Sequence, residues 1–203
     1  RTVAVMLEPV LGEGGVIPAT REFLQQLRAL TQQKNLLLIF DEVQTGLGRT
    51  GELFGYMRTG IAPDIMALAK ALGGGFPIGA FLGTAEAGKG MTTGTHGSTF
   101  GGNPLATRVG NAVLDVVLAP GFLDRTRRMA LLLKQRLAEL KDRHPDIIAE
   151  VRGEGLLIGL RCNVPNGDVV AALRAEKLLT VAAGDNVVRL LPPLIVSETE
   201  ISE

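Results

Sequence analysis

The sequence predicts an α/β fold with a mostly parallel sheet, and three observations lead there. Short apolar runs alternate with longer amphipathic stretches, the order expected of strands joined by crossover helices. The runs are apolar throughout, as strands covered on both faces must be. Glycine is abundant, 26 in 203 residues or about one in eight against about one in fourteen in ordinary chains, and it clusters beside the runs.

The elements follow in order. Val3 to Leu7 reads as a buried strand. Pro18 to Lys34 reads as a helix, with Pro18 in its first turn and Phe23, Leu24, Leu27 and Leu30 on one face. Leu36 to Phe40, Ile65 to Ala69 and Ile78 to Leu82 read as strands buried on both faces. Pro104 to Val117 and Leu123 to Arg143 are helical stretches, and in the second Met129, Leu133, Leu137 and Leu140 form a core-facing stripe. After His144-Pro145 the strands shorten to Ile158–Arg161 and Val187–Leu190, around a helix near Asp168 to Lys177. Ser197-Glu198-Thr199-Glu200 has the form of a capping box that opens a further helix. The expected organisation is a large domain over residues 1–120, a connecting helix over 121–145 and a small α+β domain over 146–203. A strand at the very start and a helix opening at the very end lead us to expect a piece of a longer protein.

Composition narrows the function classes. With 46% hydrophobic and 21% charged residues the chain is built to bury a core, which excludes disorder. Basic and acidic residues number 21 each, so no basic stripe is available for a phosphate backbone and no nucleic-acid partner is expected. No apolar run exceeds five residues, against about 18 for a membrane span, so no membrane partner is expected either. The single cysteine, Cys162, reads as a small buried hydrophobe and fits a reducing, cytoplasmic location. His96 and His144 lie far from it, and no metal is expected.

Asp41 stands at the end of an apolar run, where open parallel sheets bind ligands, although taken alone it is equally an ordinary capping carboxylate. The polar, glycine-punctuated stretch Glu42 to Gly51 follows it, suited to approach a ligand. Lys70 ends another run and is the only basic residue between Arg58 and Lys89, so a half-buried, desolvated amine is expected, or else a lysine that snorkels to water. Gly73-Gly74-Gly75 beside it leave room for a planar ligand. A strand-end amine and a strand-end acid suit pyridoxal phosphate, which needs an imine-forming lysine and a carboxylate to keep its ring nitrogen protonated. His96 to Asn103 would offer hydroxyls and amides to the phosphate, or would be no more than a loop with an N-cap. A competing reading is a P-loop nucleotidase, with Leu36 to Glu42 as the acidic strand and Gly83 to Lys89 as G-x-x-x-x-G-K. Gly90 then stands where a hydroxyl must reach magnesium, and the glycine loop follows the acidic strand instead of preceding it.

Glu8-Pro9-Val10, Gly12 to Gly15, Asp41 to Gly46, Ala69 to Gly75, His96 to Ala106 and Val188 to Val196 together resemble the class III pyridoxal-phosphate aminotransferases, in order through the whole chain. The resemblance implies the large domain of a fold type I pyridoxal-phosphate transferase plus part of the small domain, from the later part of the family's sequence. It implies Lys70 as the Schiff-base lysine, Asp41 as the ring-nitrogen partner, Val43 on the ring face and Gln44 at the ring oxygen. Ser98 and Thr99 would reach the phosphate bound in a neighbouring subunit, which implies a homodimer with shared sites. Arg189 would bind a substrate carboxylate and Glu13 would pair with it when the amine donor is present. The expected reaction moves the terminal amino group of N-acetylornithine to 2-oxoglutarate; ornithine, succinylornithine and 4-aminobutyrate are the alternative donors, and the isolated 203 residues would be largely inactive. Leu11 departs from the family's glutamine, which puts the polar contacts near Glu13 in question.

Overall fold

Hydrogen bonding sorts the strands of residues 2–203, the part described by the computed structural model, into two four-stranded sheets and a short ribbon. In chain order the elements are β1 (Ala4–Leu7), β2 (Val10–Leu11), β3 (Ile17–Pro18), α1 (Arg21–Gln33), β4 (Leu37–Asp41), β5 (Ile65–Leu68) and β6 (Ala80–Gly83). There follow α2 (Pro104–Val117), α3 (Phe122–Arg143), β7 (Ile148–Glu154), β8 (Leu157–Cys162), α4 (Asn166–Ala175), β9 (Val181–Ala183), β10 (Val187–Leu190) and α5 (Glu198–Ser202). No single helix among the described residues is long and apolar enough to cross a membrane.

The first sheet has the order β1-β4-β5-β6, and β4 runs parallel to both β1 and β5. Two features of it differ from the sequence reading. The third strand is Ala80–Gly83 rather than Ile78 to Leu82, it is exposed, and it runs antiparallel to β5. Only residues 69–79 connect the two strands, too few for the helical crossover that a parallel return requires. β1 lies at the sheet edge and is not fully buried: Met6 is 59% exposed and none of its residues is in the buried core.

Helix α1 starts at Arg21, not Pro18, because Thr20 takes the N-cap and its hydroxyl accepts from Phe23 N at 3.1 Å; Pro18 belongs to β3. Its buried face is set by Leu24 and Thr31, seven residues apart, against Leu38 and Phe40, whereas Phe23 and Leu30 stay about half exposed. Thr31 is tolerated there because its hydroxyl donates to the Arg28 carbonyl at 2.9 Å. Arg28 in turn makes a two-pronged ion pair with Asp64 (2.6 and 3.0 Å), and Asp64 also accepts from Leu38 N.

The second sheet, β7-β8-β10-β9, is antiparallel throughout. The stripe of α3 packs on it as expected: Leu137, Ile148, Ile158, Leu160, Cys162 and Val188 form one buried cluster that Leu133 and Leu140 extend. Each such aliphatic side chain contributes about 1.5–3 kcal/mol by leaving water. Cys162 is among them as a small hydrophobe, and burial raises its thiol pKa. Ser197 and Glu200 close the capping box of α5 in both directions.

Candidate active site

Asp41 is the last residue of β4 and lies opposite Ala67 of β5, three residues before Lys70. Adjacent parallel strands are about 4.8 Å apart, so the carboxylate and the amine leave the same edge of the sheet from neighbouring strands. Asp41 Oδ1 accepts from Val43 N at 2.9 Å, which turns the chain off the strand, and Oδ2 has no hydrogen-bond partner among the described residues. Val43 and Gln44 are half-buried beyond it.

Lys70 differs from the expectation of a half-buried amine, being exposed. After Leu68 the chain leaves the sheet through extended Ala69 and enters a 3₁₀ turn, Lys70–Gly73, with Lys70 itself at φ 45°. A left-handed backbone at a lysine stores strain and holds the side chain off the end of the strand. Lys70 enters no ion pair among the described residues.

Three residues distant in sequence meet at one guanidinium. Arg189, on β10 and 6% exposed, donates from Nη1 to Glu13 Oε1 at 2.6 Å and to Gln44 Oε1 at 3.0 Å. Its Nε is buried without a partner. The Gln44 amide sits 2.4–2.5 Å from where a Cβ on Gly12 would fall, so a side chain at residue 12 would push the glutamine end out of its present position. Leu11 is exposed beside it, and its departure from glutamine does not disturb the Glu13–Arg189 pair. Ser98 and Thr99 are exposed in the turn before α2 and are not brought to these residues; Asn103 caps that helix, accepting from Ala106 N at 2.9 Å.

The sequence assigns Glu42 no role in cofactor binding; it appears there only as part of a motif and of the acidic strand of the competing nucleotidase reading. It is 1% exposed, and its carboxylate accepts from Thr45 Oγ1, from Gly55 N at 2.8 Å and from Tyr56 N at 2.9 Å. Burial raises its pKa in spite of these donors, and burial together with the Glu42 charge raises that of Tyr56. Glu42 thus fastens the backbone between Asp41 and Val43 to the segment Gly55–Thr59. The Gly83–Lys89 stretch of the competing reading is largely exposed and runs into a single 3₁₀ turn, Ala87–Gly90, with no longer helix to cradle a phosphate.

The donor set fits pyridoxal phosphate: a primary amine without an ionic partner for the aldehyde, and a carboxylate with one open oxygen for the ring N–H. The model of the family described as aminotransferase class-III matches residues 1–203. The chain belongs to the class III aminotransferases. Acetylornithine aminotransferase 1 of Bradyrhizobium diazoefficiens is 66% identical over 203 residues, covering 100% of this chain and 50% of that protein. Acetylornithine aminotransferase of Agrobacterium fabrum is 61% identical over 202 residues, covering 100% of this chain and 51% of its own length. Among solved structures, N-acetylornithine aminotransferase from Stenotrophomonas maltophilia superposes with TM-score 0.89 at 37% identity, covering 98% of this chain and 53% of that one. Ornithine aminotransferase from Toxoplasma gondii gives 0.91 at 38% identity, covering 98% and 48%. The chain therefore spans about half the length of the curated class III relatives it matches.

Proposed function

We propose that the enzyme containing this chain is a pyridoxal-phosphate aminotransferase that moves the terminal amino group of N-acetylornithine to 2-oxoglutarate, a step suited to arginine biosynthesis. The observation that carries it is the Arg189 guanidinium bound to Gln44, three residues from Asp41, with Glu13 as a second, exchangeable partner. The choice of donor rests on identities of 50–66% over the whole chain to curated proteins named acetylornithine aminotransferase.

When bound, pyridoxal phosphate supplies an electron sink and a carbonyl carbon that takes up and gives back the amino group. The Lys70 amine would hold the cofactor between turnovers and would carry the proton that moves during transfer on its Nζ. Asp41 would accept the ring N–H and keep it protonated. Val43 would pack on the ring face and Gln44 would hydrogen-bond the ring oxygen. Arg189 grips the carboxylate of 2-oxoglutarate with its planar fork, while Glu13 occupies that fork when the amine donor is present. Ser98 and Thr99 serve the phosphate of a neighbouring subunit in a homodimer, and the free, buried Cys162 suits work in the cytoplasm. In this reading residues 1–120 belong to the cofactor-binding domain, 121–145 to a connecting helix and 146–203 to the small domain.

The test is borohydride reduction of the full-length holoenzyme followed by peptide mass mapping. A pyridoxyl group on the Lys70 peptide is expected, and label on another lysine refutes the assignment. Turnover of N-acetylornithine should exceed that of 4-aminobutyrate; the reverse ranking refutes the donor.

A further inference from the structure

Arg49 ties the loop that follows Asp41 to the sheet that carries Arg189. Its Nη1 donates to the carbonyl of Pro192 at 2.6 Å and to that of Leu156 at 3.1 Å, and its own carbonyl accepts from Leu156 N at 2.9 Å. Leu156 immediately precedes β8, and Pro192 lies three residues beyond Arg189 at the exit of β10. These two strands pair with Arg189 opposite Gly159. One side chain therefore fixes the entrance of β8 and the exit of β10, which lie at the same end of this antiparallel pair, three residues beyond the residue that meets Gln44 and Glu13.

The contact is close and deliberate in sequence terms. Gly155, at φ 56°, lies so near the loop that a Cβ there would stand 2.4 Å from Thr50 C and 2.5 Å from Arg49 O. Arg49 enters no ion pair among the described residues, and burial alone lowers its pKa to about 10. A half-buried cation whose hydrogen bonds go to carbonyls is costly where simple space-filling would serve, which points to the hydrogen bonds as its purpose. From Arg49 the loop is braced back to the sheet edge, through Thr50 Oγ1 to Thr45 O at 3.4 Å, Gly46 N to Glu42 O at 2.9 Å and the anchored Glu42 carboxylate.

We propose that Arg49 is a positioning residue for Arg189: it sets the height of β10 against the Asp41 loop so that the guanidinium of Arg189 meets the oxo-acid carboxylate. The inference rests on the proposed use of Arg189. It touches neither substrate nor cofactor, so its removal should separate the two substrates.

The experiment compares Arg49→Met, Arg49→Lys and Arg189→Gln in the full-length holoenzyme, with the amine and oxo-acid half-reactions followed separately by cofactor absorbance. For Arg49→Met we expect kcat/KM for 2-oxoglutarate to fall about tenfold, mainly through KM, and that for the amine donor less than about threefold, with the spectrum of the resting holoenzyme unchanged. Arg49→Lys keeps a charged donor and should restore part of the oxo-acid KM. Equal losses on both substrates, or an unchanged oxo-acid KM, overturn the proposal. If Arg49→Met does not fold, Arg49→Lys alone decides: a selective, smaller rise in the same KM supports the assignment and no rise overturns it. An Arg189→Gln enzyme with unaltered 2-oxoglutarate KM refutes the function proposed for Arg189 itself; an effect there without one at Arg49 refutes only the positioning role.

Discussion

Replacing Glu42 by glutamine isolates what a buried carboxylate does at the root of the site. Its Oε2 accepts from Thr45 Oγ1 and Gly55 N and its Oε1 from Tyr56 N, so every nearby donor points at an acceptor. An amide supplies one acceptor only. Whichever way it is turned, its NH₂ faces a backbone N–H, of Tyr56 in one orientation and of Gly55 in the other, so that one backbone donor and one amide proton meet without an acceptor. A buried unsatisfied polar group costs about 1–3 kcal/mol, so two cost about 2–6 kcal/mol. The neutral amide escapes the desolvation that the charged carboxylate suffers, which brings the expected loss toward the lower end, about 2–3 kcal/mol.

The pH dependence gives the sharper check. Burial raises the Glu42 pKa above its ordinary 4.5, so the folded state binds this proton before the unfolded state does. Stability from this group therefore grows as pH falls through the raised value and levels off below the ordinary one. Glutamine does not titrate. Urea unfolding of wild type and Glu42→Gln across the acid range should thus show a stability gap that widens on acidification, read from the midpoints at constant slope. A gap that narrows toward acid would mean that the three donors outweigh burial, and a gap under about 0.5 kcal/mol at neutral pH would mean that the anchoring described here is not made.

Two further changes test the site and the core. Glu13→Ala removes a partner whose side chain is 68% exposed, an interaction worth about 1 kcal/mol at most once screened, so the freed Arg189 should bind 2-oxoglutarate up to about fivefold more tightly. A weakened KM for that acid in steady-state kinetics would contradict the competition between them. Leu137→Ala opens a cavity where α3 meets β7 and β8, and urea titration should register a loss of about 2–5 kcal/mol; a loss below about 1 kcal/mol would mean that the stripe does not hold the helix.

Much of the site was legible because the ends of apolar runs mark the edge where parallel sheets bind ligands. That rule singled out Asp41 and Lys70 as candidates, without deciding between a ligand site and an ordinary cap or a snorkelling lysine. The stripe of α3 was equally plain, since a helix of 22 residues repeats its pattern often enough to fix the buried face. The direction of β6 was not, because an apolar run of four residues carries no sign of its sense; only the shortness of the 69–79 connection does. Glu13 and Arg189 are 176 residues apart, and no spacing rule joins them; the family motifs did. Glu42 and Arg49 escaped notice for another reason. Their partners are backbone amides and carbonyls, which every sequence contains everywhere, so nothing in the residue types marks where they will meet.

The turn ahead of β10 limits how the pair at Glu13 parts. Gly184 N donates to Glu13 O at 2.8 Å, a Cβ on Gly15 would come within 2.7 Å of Gly184 O, and Arg152 bonds Asp185 at 2.6 Å to hold the same turn. The backbone of Glu13 therefore travels with the strand that bears Arg189. Sliding one sheet against the other would leave carboxylate and guanidinium together, so under the proposed function they separate by rotation of the exposed Glu13 side chain. That rotation breaks an interaction of about 1 kcal/mol. Exposed side chains change rotamer in picoseconds to nanoseconds, so the fork of Arg189 can change partner between half-reactions without any movement of the domain.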